Sequence, residues 1–138
     1  ERFMPLLLLA DPDEGMIGRY LPTGDMFILL DGGGLRSICV VTEVESRSCE
    51  LKNLATLPAY QHQGYGRRLV TYICRYYHGR YERMMVGTGD SPLTVPFYES
   101  CGFRRSHVVK NFFTDNYPQP IIEDGVVLRD MVYLAKEL

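Results

Sequence analysis

The chain has 138 residues, of which 46% are hydrophobic and 23% charged, and its formal net charge at pH 7 is −2. This length is enough for one domain with a hydrophobic core and leaves little room for two. The small negative charge excludes a global positive field that would attract nucleic acid, although a local basic patch remains compatible with it. We therefore expect one domain over residues 1–138 and no nucleic-acid partner.

The longest apolar run extends from Met4 to Ala10 and contains Pro5. It is much shorter than the roughly 20 residues that span a bilayer. An acidic stretch follows it, where a signal peptide would have a cleavage site of small residues. We expect neither a membrane segment nor a signal peptide. The chain begins with Glu1 rather than Met, which suggests that a leading segment was trimmed or omitted.

The four cysteines contain no CxxC pair, and the three histidines show no ligand spacing relative to them. A zinc site is therefore not expected, and we predict no metal. Single cysteines inside apolar segments are typical of reduced core residues in an intracellular protein. The expected location is the cytoplasm.

In chain order, the predicted elements begin with one or two short helices over residues 4–20. An apolar strand over 26–30 leads into a glycine-rich hairpin turn at 31–34. A β-branched strand over 37–44 and a third strand over 49–57 follow. The first half of the chain is therefore expected to end in a meander of three strands.

The period of the apolar residues then becomes helical from Gly64 to Gly79. A short buried strand is predicted over 84–86 and a short helix over 97–101. Two final strands are expected over 106–113 and 126–135. This order predicts an α/β (α+β) fold of three layers, with helices against a mixed sheet.

The most informative segment is 54–69, which reads as a strand, a glycine-bearing turn and an amphipathic helix. Such a turn directs several backbone N–H groups to one point, and the helix N-terminus adds about half a positive charge. Gly64 and Gly66 let a phosphate approach without meeting a Cβ. The residues required by a dinucleotide fingerprint or a Walker A loop are missing. The segment is therefore either an anion site or a β–α turn with incidental glycines.

Two motifs resemble those of the GCN5-related N-acetyltransferases, the GNAT superfamily. Gln61-His62-Gln63-Gly64-Tyr65-Gly66 matches the Q/R-x-x-G-x-G/A pyrophosphate motif, and Phe97-Tyr98-Glu99-Ser100-Cys101-Gly102-Phe103 resembles the short helix that ends in Tyr-x-x-x-Gly-Phe. Their order and separation are also those of the family, and the resemblance covers roughly residues 26–136. It implies a GNAT-like fold with a mixed, mostly antiparallel sheet and splayed strands at the acetyl-CoA site. The usual first strand has no clear counterpart before Met4, so it was trimmed or this member begins late.

The resemblance implies acetyl-CoA as the cosubstrate, with its pyrophosphate on the turn and its pantetheine along the open edge of the preceding strand. A strand N–H near Leu54 would polarise the thioester carbonyl, a weak form of an oxyanion hole. Ser91 stands where many relatives have an asparagine that contacts the cofactor. The residues implied in cofactor binding are Leu54, Ala55, Thr56, Leu57, Gln61, His62, Gln63, Gly64, Tyr65, Gly66, Arg67, Ser91 and Tyr98.

An acceptor alkylamine with a pKa near 10.4 is neutral in only about one molecule in 2,500 at pH 7, which calls for a general base. Glu50 is the first candidate, because some histone-acetylating relatives have their base on this strand. The alternative for Glu50 is a solvated partner of Lys52, and Glu43 is the reserve base. Tyr98 resembles the family tyrosine that protonates the leaving thiolate, and its alternative is a core aromatic beside Phe97.

The resemblance places the acceptor pocket between the early helices and the loop before the last strand. We expect an N-acetyltransferase acting on a small-molecule amine. A protein lysine or N-terminal acetyltransferase and a non-catalytic CoA-binding homologue remain alternatives. A homodimer is expected by analogy only. The residues expected in the acceptor pocket are Met16, Tyr20, Phe112, Phe113, Asp115, Tyr117 and Asp130.

Overall fold

The computed structural model describes residues 3–123 and 125–138. The question of a strand before Met4 concerns residues 1 and 2, which lie outside the described residues. The helices are α1 (Met4–Ala10), α2 (Glu14–Tyr20), α3 (Tyr65–Tyr77), α4 (Thr94–Ser100) and α5 (Phe112–Asn116). The strands are β1 (Asp25–Asp31), β2 (Gly34–Glu45), β3 (Ser48–Thr56), β4 (Arg83–Gly89), β5 (Arg104–Val109), β6 (Ile122–Glu123), β7 (Val126–Val127) and β8 (Met131–Glu137).

The main sheet has six strands in the order β1-β2-β3-β4-β8-β5. All neighbouring pairs are antiparallel except β3 and β4, which run parallel. The sheet is therefore mixed and mostly antiparallel, as the sequence predicts. The β1–β2–β3 meander accounts for its first half.

Hydrophobic clusters lie on both faces of this sheet, which gives the predicted three layers. On one face α3 packs Leu69, Val70 and Ile73 against the sheet, in a cluster that also includes Tyr98 of α4. This apolar spacing is why residues 65–77 form a helix. On the other face α1 and α2 contribute to a second cluster, which consists of Leu6, Leu7, Ile17, Tyr20, Ile38, Val40 and Ala55. None of the helices in the described part of the chain has the length and apolar character needed to cross a bilayer.

The two final strands differ from the prediction. The expected strand over 106–113 ends at Val109, because Asn111 turns the chain with a φ of +57° and α5 follows. The expected strand over 126–135 is divided: β7 pairs with β6 in a small separate hairpin, and β8 begins only at Met131. Asp124 lies outside the described residues.

Candidate active site

The central feature of the site is a gap between β3 and β4. The two strands pair in parallel only from Ser48 to Leu51 on β3, opposite residues 83–86 of β4. Lys52 is an extra residue in β3, because Leu51 faces Val41 of β2 while Asn53 faces the adjacent Val40. A β-bulge of this kind bends its strand and ends local pairing. Residues 52–56 therefore present an unpaired edge toward β4 within the described structure.

A cavity of about 230 Å³ occupies this gap. Its walls include Leu54, Ala55 and Thr56 on β3 and Gly87 and Thr88 on β4. The open edge of β3 can form hydrogen bonds with an extended amide-containing chain, as one strand does with another. This geometry suits pantetheine.

The turn at the end of this cavity has backbone groups free to bind an anion. Gly64 lies at the N-cap of α3 with a φ of +89°, and His62 also has a positive φ of +64°. Within residues 3–123 and 125–138, the backbone N–H groups of 62–67 have no backbone acceptor. These donors and the helix N-terminus are arranged to suit the oxygens of an anion such as pyrophosphate. A Cβ at Gly64 would meet no atom within 4 Å, so lack of space does not require a glycine there. The positive φ is what favours glycine at this position.

The polar side chains around the turn hold its shape. Gln61 donates to the carbonyl of Thr56 (3.2 Å), and Gln61 also lines the 230 Å³ cavity. Gln63 makes a longer contact of 3.5 Å with the carbonyl of Ala59. Arg67 donates to the carbonyl and hydroxyl oxygens of Ser100 (2.9 and 2.6 Å) and thereby joins α3 to α4.

Three other predicted cofactor residues lie at or near the turn. Tyr65 donates its hydroxyl to Asp31 (2.7 Å), and this bond lowers the pKa of the Asp31 carboxyl. Leu57 is placed by its backbone N–H, which donates to the carbonyl of Arg36 at 2.9 Å. Gly66 lies below α4, where an added Cβ would come 3.5 Å from the ring of Phe97.

The hydroxyl of Ser91 forms hydrogen bonds within the protein. It is 3% exposed, and its hydroxyl accepts the backbone N–H groups of Leu93 and Thr94, both at 3.2 Å. These bonds organise the start of α4. The cofactor contact expected at Ser91 is not evident, since this residue is absent from the lining of the 230 Å³ cavity.

Tyr98 of α4 lines the same cavity and is only 8% exposed. Its ring packs against Phe97 and Phe103, with centroids 5.1 and 5.8 Å away. Burial raises the pKa of the phenol. Tyr98 is therefore both a packed aromatic and a protonated phenol at the cavity wall.

A second cavity, of about 340 Å³, lies on the α1–α2 side of the gap. Glu50 of β3 is 9% exposed and lines it. The Glu50 carboxylate is 3.4 Å from the ammonium of Lys52. Burial and this carboxylate together raise the pKa of Tyr133, another lining residue, to about 12. Glu43 is exposed and outside this lining, where it accepts a hydrogen bond from Tyr81 (2.8 Å).

Most of the expected acceptor residues meet at the second cavity. Asp115 and Asp130 do not line it, and Asp130 instead accepts the backbone N–H of Asn111 (2.8 Å) before α5. The predicted residues that do line it are Met16, Tyr20, Phe112, Phe113 and Tyr117.

Sequence reasoning missed Asp11 and Glu123, which also line the second cavity. Asp11 accepts hydrogen bonds from the hydroxyls of Tyr117 (2.9 Å) and Tyr20 (3.3 Å). Burial is the main cause that raises the pKa of the Asp11 carboxyl. No local pattern marks Asp11 as a site residue, because its partner Tyr117 is 106 positions away.

The two cavities meet at the end of the β3–β4 gap, where both are lined by Leu51, Lys52, Gly87, Thr88 and Glu123. Glu50 lines only the 340 Å³ side and Tyr98 only the 230 Å³ side. A carboxylate and a protonated phenol thus flank the junction from opposite directions. In the described part of the chain, no group of three or more His, Cys, Asp or Glu side chains could hold a metal ion.

Comparison with known proteins agrees with this geometry. A family model described as the Acetyltransferase (GNAT) domain matches residues 22–105. The chain is 32% identical over 135 residues to an uncharacterized N-acetyltransferase, YvbK, of Bacillus subtilis (strain 168), a match that covers 96% of this chain and 87% of that protein.

Two solved structures are similar over nearly the whole chain. One is a GNAT family acetyltransferase from Elizabethkingia anophelis with acetyl-CoA bound, with a TM-score of 0.93 and 34% identity over 97% of this chain and 89% of that one. The other is a Bacillus subtilis acetyltransferase in complex with CoA, with a TM-score of 0.90 and 31% identity over 99% of this chain and 91% of that one.

Proposed function

Because the chain belongs to the GNAT family and is an acetyl-CoA-dependent N-acetyltransferase, we propose that its acceptor is the primary amine of a small molecule. In this proposal Glu50 is the general base and Tyr98 the general acid. The observation that carries it is the pair of joined cavities, with Glu50 on one side of their junction and Tyr98 on the other.

The form of the 340 Å³ cavity supports a small acceptor. Its volume lies at the lower end of the range typical of small-molecule sites, about 300–1,000 Å³. Residues of α1, α2, α5 and β6 line it, together with residues of β3, β4 and β8. Its aromatic and acidic walls suit a cationic amine, through cation–π and ion-pair contacts. A protein lysine or N-terminus would require an open groove and is the alternative acceptor.

The proposed reaction is a direct attack. Glu50, directly or through a water molecule, removes a proton from the ammonium group. The nitrogen lone pair then attacks the thioester carbonyl carbon, whose oxygen is polarised by a β3 N–H near Leu54. The carbon–sulfur bond breaks, and Tyr98 gives its proton to the departing thiolate. The second proton that the nitrogen loses on becoming an amide is released to solvent, from which the phenolate of Tyr98 regains a proton. A well-placed base contributes on the order of 10²- to 10⁴-fold to such a step.

The cofactor part of the proposal assigns the phosphates to the 61–67 turn and pantetheine to the edge of β3. The free N–H groups of the turn support the first assignment, and the missing β3–β4 pairing supports the second. A reducing, cytoplasmic setting belongs to the same proposal, since Cys39, Cys49, Cys74 and Cys101 are free thiols. The homodimer stays a prediction by analogy.

Calorimetric titration of acetyl-CoA tests the cofactor site. We expect one-to-one binding to the natural chain and its loss in Gly64→Glu, which places bulk and negative charge in the phosphate turn. Gly79→Glu is the matched control, because Gly79 has a similar φ of +88° and open space around it but follows α3 at its other end. Equal loss of binding in both variants would show that strain, and not the phosphate turn, is responsible.

Thiol release with a set of primary amines tests the acceptor. Turnover with a small amine supports the proposal. Turnover only with peptides would establish the protein-directed alternative. Binding of acetyl-CoA without turnover of any acceptor would indicate a non-catalytic homologue.

A further inference from the structure

The junction of the two cavities contains a carboxylate that the reaction above does not use. Glu123 lies on β6 and lines both cavities. Among the residues that the structure describes, its buried Oε1 atom has no hydrogen-bond partner. Buried carboxylate oxygens normally have partners, because an unsatisfied one loses the hydrogen bonds of water without replacement. An unsatisfied oxygen at the meeting point of two cavities has the character of a ligand-binding group.

The position of Glu123 is fixed by the packing of its hairpin. Leu128 is 6% exposed, and its backbone N–H donates to the carbonyl of Ile121 at 2.8 Å. Its side chain lies directly over Gly89 of β4, where an added Cβ would come within 2.6 Å of the Leu128 methyl groups. The absence of a side chain at Gly89 therefore lets the hairpin approach the gap and bring Glu123 to its end.

The charges at the junction favour a cation near Glu123. Lys52 is the only other charged residue that lines both cavities within the described chain. Its ammonium contacts Glu50 (3.4 Å) and lies 5.7 Å from the ring of Tyr20. The described residues therefore give Lys52 an anionic partner, whereas Oε1 of Glu123 has none. A cationic group of the acceptor would satisfy it.

Resting on the proposed function, we propose that Glu123 binds the reactive ammonium group of the acceptor at the junction and orients it toward the thioester. Glu123 acts before the proton leaves, and Glu50 removes that proton. The acceptor is therefore an alkylamine that arrives as a cation, in preference to an amine that is neutral near pH 7.

Glu123→Gln tests this role, because it retains the shape of the side chain and removes its charge. We compare benzylamine, which is cationic near pH 7, with aniline, which is neutral and has the same ring. For benzylamine we expect kcat/KM to fall on the order of 10- to 100-fold, mainly through a higher KM. For aniline we expect a change of less than about threefold. Glu45→Gln is the control, since Glu45 is exposed and lies outside both cavities.

Equal kinetic constants for the natural chain and Glu123→Gln would overturn the proposal, and so would equal losses for the two amines. If the natural chain acetylates neither benzylamine, aniline nor other small amines, the proposed function fails and thermal unfolding decides the role of Glu123. A carboxylate with a buried, unsatisfied oxygen that serves binding destabilises the free protein, so Glu123→Leu should raise Tm. A lower Tm would show that Glu123 stabilises the fold, which contradicts a binding role.

Discussion

At the scale of single residues, Glu50 is distinguished from Glu43 by what surrounds it. Glu50 lines the 340 Å³ cavity beside the junction, while Glu43 is exposed and accepts a hydrogen bond from Tyr81. The sequence leaves both carboxylates as candidates for the general base, because alternation along a strand does not reveal which face of the strand is covered. Only the position of α1, α2 and α5 determines that Glu50 is enclosed.

Glu50→Gln should slow acetylation of an alkylamine by about 10²- to 10⁴-fold near pH 7. The defect should become smaller at pH 9, because the neutral fraction of such an amine rises about tenfold per pH unit below its pKa. Solvent then supplies the deprotonated nucleophile that the variant cannot produce. The pH dependence of kcat/KM in both proteins measures this difference.

Glu82→Gln provides the control, since Glu82 is an exposed carboxylate that pairs with Arg47 far from the two cavities. A defect of Glu50→Gln that stays constant from pH 7 to 9 would argue against proton removal and for a role in binding or packing.

At the scale of elements, the buried Asp11 carboxylate connects the α1–α2 corner to the segment after α5. Tyr117 follows α5 and donates its hydroxyl to Asp11 at 2.9 Å. The bond forms part of the wall of the 340 Å³ cavity, because both residues line it. The bond therefore holds together two segments that cover the cavity and are far apart in the sequence.

Tyr117→Phe should reduce the free energy of unfolding at neutral pH by about 1–3 kcal/mol, because it leaves a buried carboxylate short of one donor. This hydrogen bond favours the charged form of Asp11 and lowers a pKa that burial raises. Its stabilising effect is therefore complete above the higher pKa that Asp11 has in the folded Tyr117→Phe variant, and it is lost as the pH falls through the pKa of Asp11 in the natural protein. Urea denaturation at several pH values should show the difference between the two proteins decreasing toward acid.

Tyr72→Phe is the matched control, because Tyr72 lies on α3 and is 55% exposed. If Tyr117→Phe is destabilised by the same amount at every pH, the contribution of this hydrogen bond to stability does not depend on the ionisation of Asp11, which contradicts the prediction. The same variant should raise KM for the amine, since the cavity wall is loosened.

The elements that the sequence predicted are those whose pattern is local. The apolar period of α3 and the glycine turn between β1 and β2 lie within single segments, and each formed as expected. The break after Val109 depends on Asp130, whose carboxylate accepts the N–H of Asn111 from 19 positions away. The β6–β7 hairpin depends on Leu128 packing over Gly89. Contacts between residues so far apart in the chain cannot be recognised from a single sequence. For this reason α5, the hairpin and the role of Glu123 were not predicted.

The same distinction applies to the site. The 61–67 turn is a continuous motif, so its residues could be predicted by resemblance. It begins at Gln61, which lines the 230 Å³ cavity, and leads into the N-terminus of α3. The 340 Å³ cavity is lined by residues of α1, α2, α5 and β6, which are far apart in the sequence. The residues predicted for it therefore included Asp115 and Asp130, which do not line it, and omitted Asp11, which does. Ser91 shows a further limit, since its position matches a family contact while its hydroxyl accepts the N–H groups of Leu93 and Thr94 at the start of α4.

At the scale of the whole molecule, the sheet has two parts joined by a short ladder. Among the described residues, the β1–β2–β3 part and the β4–β8–β5 part share only the pairs from Ser48–Arg83 to Leu51–Val86. Beyond these pairs, the 230 Å³ cavity separates the two parts. A cofactor in that cavity would complete the hydrogen bonding of the β3 edge and connect the parts.

Hydrogen exchange tests this consequence directly. Acetyl-CoA at about 100 times its Kd should stabilise the folded protein by about 2.7 kcal/mol. It should also slow exchange at the amides of 52–56 that point away from β2 and at those of the 61–67 turn. 3′-Phosphoadenosine 5′-diphosphate, the part of CoA that remains when pantetheine is removed, should protect the turn and leave 52–56 unchanged. Equal protection of 52–56 by both ligands would mean that the strand edge responds to the nucleotide alone, and that pantetheine does not join the two parts of the sheet.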